Sequence, residues 1–155
     1  QMCTTVHKGL SPGGGNMGDT GSGLNGICVL VVEDDRDTRE LLGLGLESYG
    51  AKPFLTSSVK GGVDALRKHR PDVVISDIGM PDYNGYALIA AVRKDETHEI
   101  RTTPVIALTA FSTSADRDSA LVSGFDEYLT KPFDPEELVF AIRQLHERHR
   151  VDTAA

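Results

Sequence analysis

Glu33, Asp34, Asp35, Asp77, Thr109 and Lys131 are the residues whose types could do chemistry together, and each follows a short apolar run. Glu33-Asp34-Asp35 comes after the run 27–32, Asp77 after 73–76, Thr109 after 105–108, and Thr130-Lys131-Pro132 after 125–129. Two carboxylates about 4 Å apart repel by roughly 4 kcal/mol at an effective dielectric of 20, so such a cluster persists beside a compensating cation or ammonium. Oxygen ligands with no cysteine or histidine nearby select Mg2+ over zinc. Mg2+ keeps several waters while binding one or two carboxylates and a phosphoryl oxygen. The chemistry that fits is phosphoryl transfer, which asks mainly for positioning and charge neutralisation. Asp77 is then the nucleophile, as carboxylates are in aspartyl-phosphate chemistry. Mg2+ and Lys131 neutralise the transferring oxygens, the Thr109 hydroxyl donates to one of them, and Ala110 leaves room for a bulky donor.

These residues act together only if the fold gathers them. Five short apolar runs, 27–32, 53–56, 73–76, 105–108 and 125–129, alternate with five helical patterns. The first, third and fourth are rich in Val and Ile without polar alternation, which suits central strands covered on both faces. The second carries Lys52 and Pro53, which suits an edge. Asp37-Thr38-Arg39-Glu40 is a capping-box pattern, and Leu41, Leu42, Gly45, Leu46 and Tyr49 follow along one helical face with Gly50 as a stop. Asp134-Pro135-Glu136-Glu137 is a second box with proline at the first helical position, leading into Leu138, Ala141, Ile142 and Leu145. The segments 84–94 and 114–123 supply two more helices. The fifth, 58–69, stands against Gly61-Gly62, each costing about 1 kcal/mol relative to alanine. Strict alternation implies right-handed crossovers and one parallel sheet with helices on both sides, an α/β fold in three layers. Ligands in such sheets bind beyond the carboxyl ends of the strands, where the polar residues collect.

The 155 residues suffice for one domain without staples. Residues 1–25 read as a flexible Gly-rich tail or linker, 26–150 as the domain, and 151–155 as a disordered end. A net charge of −7 argues against a nucleic-acid surface, and no apolar run approaches the roughly 18 residues of a membrane span. The expected location is the cytoplasm. Cys3 and Cys28 lack metal or redox spacing and read as free thiols in a reducing compartment, with a disulfide as the alternative. His7, His69, His98, His146 and His149 are scattered and read as exposed, mostly helix-end residues. The glycines of the tail precede the first strand, which removes a dinucleotide-loop reading.

Taken singly, the site residues have ordinary readings: an acidic helix start, an Asp-led turn before Met80-Pro81, a strand-end hydroxyl, a surface lysine, a packed Tyr128. Their joint placement is another matter. Val29-Leu30-Val31-Val32-Glu33-Asp34-Asp35, Ser76-Asp77-Ile78-Gly79-Met80-Pro81, Ala107-Leu108-Thr109-Ala110 and Tyr128-Leu129-Thr130-Lys131-Pro132 resemble the four motif blocks of the two-component response-regulator receiver family, of the chemotaxis type. The resemblance runs from about Gly26 to Leu145.

It implies a flavodoxin-like fold with five parallel strands in the order 2-1-3-4-5 and five helices. It implies that Asp77 is the phosphoacceptor and that Asp34 and Asp35 are the acidic pair, with Asp35 a direct Mg2+ ligand and Asp34 acting through water. The Gly79 carbonyl is a further ligand, Thr109 and Tyr128 are paired switch residues, and Lys131 precedes a cis Pro132. Gly79 and Phe111 occupy positions that tune phosphoryl lifetime.

The implied partners are a histidine kinase or histidine phosphotransfer domain as donor, and a downstream protein on the face formed by the helix at 114–123, the last strand and the last helix. The domain is then a phosphoacceptor switch and not a turnover enzyme. Two other classes stay open: a Mg2+-dependent phosphohydrolase, which would want a second Asp where Gly79 stands, and a receiver-shaped docking domain that is never phosphorylated. The Gly-rich lead suggests a receiver cut from a hybrid sensor histidine kinase, with a stand-alone regulator as the alternative.

Overall fold

The computed structural model describes residues 23–78, 85–110 and 113–154. The strands are β1 (Cys28–Val32), β2 (Lys52–Thr56), β3 (Val73–Asp77), β4 (Val105–Thr109) and β5 (Glu127–Thr130). The helices are α1 (Arg36–Ser48), α2 (Val59–His69), α3 (Gly85–Arg93), α4 (His98–Arg101), α5 (Ser114–Ser123) and α6 (Pro135–Ala154). All pairings are parallel, in the order β2-β1-β3-β4-β5, which is the expected sheet. The helix count differs from expectation by the single turn α4, too short to leave an amphipathic period in the sequence.

Side-chain alternation along the strands divides the interior into two cores. Val29, Val31, Val73, Ile75, Ile106 and Leu108 face α1 and α6, meeting Leu42, Leu46, Leu138, Ile142 and Leu145. Leu30, Val32, Val74, Val105 and Ala107 face α2, α3 and α5, meeting Leu66, Leu88, Ile89, Val92 and Ala120. The central strands β1, β3 and β4 are buried along their whole length, as their unbroken apolar runs require, and β2 is the half-exposed edge.

Several local expectations change. α1 starts at Arg36 with Asp35 as its N-cap, two residues before the predicted Asp37. α2 forms despite its glycine pair, and the reason is close packing. A Cβ on Gly62 would sit 3.1 Å from Val32 and 3.3 Å from Leu88, so a bare backbone lets the helix lie tight on the sheet. Leu24, placed in the tail by composition, is fully buried, and its N–H donates to the Tyr49 carbonyl at 2.7 Å. The last helix continues past Arg150 to Ala154. Cys28 is disulfide-bonded, not the free thiol expected, and Cys3 lies outside the described residues. Among the described residues no helix is long and apolar enough to cross a membrane.

Candidate functional site

Strand register explains how distant residues arrive at one edge. Val32 pairs with Ser76, so Glu33 and Asp77 are the next step of adjoining strands. Asp77 itself pairs with Leu108, putting Thr109 one residue beyond, and Thr109 pairs with Thr130, putting Lys131 beyond that. Three backbone bonds fix these ends: Glu33 N–H to the Thr56 carbonyl at 3.0 Å, Ile78 N–H to Leu108 at 2.9 Å, and Lys131 N–H to Thr109 at 2.7 Å. The Lys131–Pro132 bond is cis, as the resemblance implies.

Alternation then decides which side chains meet. Asp77 continues the parity of Val73 and Ile75, and Glu33 that of Val29 and Val31, so both belong to the α1–α6 side of the sheet. Both carboxylates are buried, 2% and 1% exposed. The Lys131 ammonium donates to Asp77 Oδ2 and lies 3.5 Å from Glu33 Oε2. Burial alone would lower the Lys131 pKa, but its hydrogen bond to Asp77, and the charges of Asp77 and Glu33, carry it above its ordinary value. The Glu33 carboxyl pKa also rises, which for an acid favours the neutral form. Desolvation, then its hydrogen bond to the Asp77 carboxyl, push it up to about 8. One ammonium thus faces two buried carboxyl groups, and one of the two retains its proton near neutrality.

Asp34 and Asp35 part company. Asp35 Oδ2 accepts from the Thr38 N–H at 2.9 Å and from the Thr38 hydroxyl at 2.6 Å. Those bonds, from the Thr38 hydroxyl first, hold the Asp35 pKa below the usual carboxylate range. Its side chain belongs to α1, and Glu33, not Asp35, reaches Asp77 and Lys131. That is the main difference from the sequence expectation. Asp34 is half-buried and its Oδ1 is buried with no hydrogen-bond partner. An orphaned buried carboxylate oxygen costs on the order of 1–3 kcal/mol or more unless something binds it. A hard cation is the partner such an oxygen fits. Among the described residues no group of three or more His, Cys, Asp or Glu is gathered closely enough to hold a metal ion by itself. Mg2+ does not need one, since it takes one or two carboxylates and keeps its waters.

Thr109 is buried at the end of β4 and its hydroxyl is hydrogen-bonded to that of Tyr128 on β5. Burial, then the charge of Asp116, raise the Tyr128 pKa. Both side chains fall on the α2–α3–α5 side, Tyr128 packing in that core. The two predicted switch residues therefore touch. Gly79 and Phe111 lie outside the described residues. Sequence reasoning left Glu33 as one acid of three. The signals that single it out are parity, which it shares with Val29 and Val31, and its place directly after Val32, before the chain turns toward α1.

Comparison with known proteins agrees with this geometry. The model of the response regulator receiver domain family matches residues 29–143. The uncharacterized 14.6 kDa protein in the sodA1 3' region of Leptolyngbya boryana is 44% identical, covering 75% of this chain and 87% of its own length. Response regulator Rre1 of Synechocystis is 36% identical over 83% of this chain, which spans only 55% of that regulator. Among solved structures, the receiver domain of a sensor histidine kinase from Pseudomonas aeruginosa PAO1, described with a magnesium ion in its active-site cleft, is 29% identical with a TM-score of 0.70, covering 78% of this chain and 98% of that one. Fold, strand-end residues and relatives converge: the chain belongs to the response regulator receiver domain family.

Proposed function

We propose that this receiver is a phosphorelay switch in which Asp77 accepts a phosphoryl group from the phosphohistidine of a histidine kinase or histidine phosphotransfer domain. What supports the reading most is a buried carboxylate at a strand end, held by Lys131, with the orphaned oxygen of Asp34 two residues past the end of the adjoining strand β1. An Asp77 oxygen attacks phosphorus, the O–P bond forms as the P–N bond breaks, and the imidazole, protonated on its other ring nitrogen, leaves with the electron pair as a neutral ring. Lys131 neutralises charge on the transferring oxygens. Asp34 and Asp77 are the carboxylates suited to hold Mg2+, with Glu33 beside them and the Gly79 carbonyl as a further ligand. The bound ion supplies the positive charge that Lys131 alone does not. Asp35 keeps α1 capped.

The switch follows from the Thr109–Tyr128 contact. A phosphoryl oxygen competes with Tyr128 for the Thr109 hydroxyl, and the Tyr128 ring and the α5–β5–α6 surface respond as a shift between two populations. Exposed Leu121 and Val122 on α5, and Phe140 on α6, give that surface apolar area for a downstream protein. On the opposite side a groove of about 440 Å3 between α1 and α6, lined by Leu41, Leu42, Tyr49, Phe133 and Leu138, runs up to Lys131. A donor that reaches Asp77 from that side covers it. The reading expects a cytoplasmic domain, and we favour a hybrid histidine kinase as its parent.

Incubation with acetyl phosphate and Mg2+, followed by intact mass measurement, tests the reading. Wild type should gain one phosphoryl group and Asp77→Asn none. Thr109→Ala should still gain it but lose the NMR shifts at Tyr128. An adduct of equal yield in Asp77→Asn contradicts the proposal.

A further inference from the structure

Arg39 has no part in the chemistry above, yet its side chain returns from α1 to the acidic loop. The β1 ladder stops at Val32 and α1 begins at Arg36, so the carbonyls of Glu33 and Asp34 fall between two regular elements. Backbone acceptors in such a gap need partners from elsewhere. Arg39 Nη1 supplies them, donating to the Glu33 carbonyl at 2.9 Å and to the Asp34 carbonyl at 3.4 Å. The same short turn is pinned from its other side: Glu33 Oε1 accepts from the Asp35 N–H at 3.1 Å, and Asp35 caps the helix. In this shape the Asp34 carboxylate is left with a buried, unpartnered oxygen.

We infer that Arg39 is a positioning residue, clamping the Glu33 and Asp34 carbonyls so that the Asp34 carboxylate is presented to a divalent cation. This rests on the Mg2+ reading of the site and adds to it a residue that touches neither cation nor phosphoryl group. The sign of the effect separates positioning from plain charge. A guanidinium near the loop repels a cation, so a residue acting only through its charge would strengthen Mg2+ binding when removed. A clamp has the opposite consequence. Removing it lets the loop relax, and Asp34 must then be ordered each time an ion binds.

The experiment is a Mg2+ titration of the full chain followed by 1H–15N NMR at the amides of Asp34, Asp35 and Ile78. It compares wild type with Arg39→Met and Arg39→Lys. Loss of the clamp in Arg39→Met should weaken Mg2+ affinity by about tenfold to a hundredfold, the range typical of residues that orient a metal ligand. Arg39→Lys keeps the charge and can reach one carbonyl, so it should fall between the two. In metal-free protein, the amides of residues 34 and 35 should exchange faster in Arg39→Met than in wild type. If Arg39→Met does not fold, a weakening in Arg39→Lys at unchanged net charge carries the same conclusion. Affinity equal to or tighter than wild type in the folded variants overturns the inference. A wild type with no saturable response overturns the cation reading itself, and the role of Arg39 with it.

Discussion

Glu33 carries the consequence most open to test at the scale of single residues. Its carboxyl titrates at about 8 in the folded protein against an ordinary 4.5, because it is desolvated and shares a hydrogen bond with Asp77. Folding therefore takes up a proton between those values. The contribution is fully present below pH about 4.5 and is lost as pH rises through about 8. Asp35 is shifted below 3.8 and Lys131 above 10.5, so neither titrates in that window. Denaturant melts of metal-free protein should show stability falling from pH 5 toward 8, as expected for a group titrating up to about 8. In Glu33→Gln that slope should flatten. An undiminished slope in the variant would show that another group takes up the proton.

At the scale of elements, the start of α1 decides which acid does what. Asp35 caps the helix through Thr38, and asparagine is as good a cap as aspartate, whereas alanine is poor. Asp35→Asn should leave Tm and Mg2+ affinity close to wild type, and Asp35→Ala should lower Tm by roughly several degrees. A large loss of Mg2+ affinity in a stable Asp35→Asn would restore Asp35 as a ligand. The sequence reads this element one step wrongly for a physical reason. Asp37-Thr38-Arg39-Glu40 has the pattern of a capping box, and choosing it as the helix start leaves Asp35 free for a metal. The competing start, Asp35 with Thr38 three residues on, differs only in how the chain leaves β1, which composition does not record. The strands were easier. Valine and isoleucine runs buried on both faces admit few other conformations, and their ends carry the site with them. The single turn α4 and the close approach of Gly62 to Val32 and Leu88 depend on tertiary packing and leave no periodic trace.

The whole molecule divides its candidate residues between the two sides of one sheet. Asp77, Glu33 and Lys131 belong with α1 and α6, and Thr109 and Tyr128 with α5. On the proposed function, covalent chemistry and readout would be adjacent at the sheet edge but answer to different partners. Leu41 is 69% exposed on the rim of the groove that runs to Lys131, where the proposed function would have a donor protein, but not a small phosphodonor, make contact. Leu41→Glu should slow transfer from a phosphorylated histidine protein by about tenfold or more, since a buried charge opposes docking, and leave labelling by acetyl phosphate unchanged. Equal slowing with both donors would place the defect in the site instead of the surface. All of this depends on one carboxylate forming an acyl phosphate. The most direct measurement is reductive trapping: phosphorylated protein is treated with labelled borohydride, which converts an aspartyl phosphate to homoserine, and the label is mapped by peptide sequencing. Label at position 77 is the predicted result, and label confined to any other residue, or none in protein that has taken up phosphate, would contradict the account.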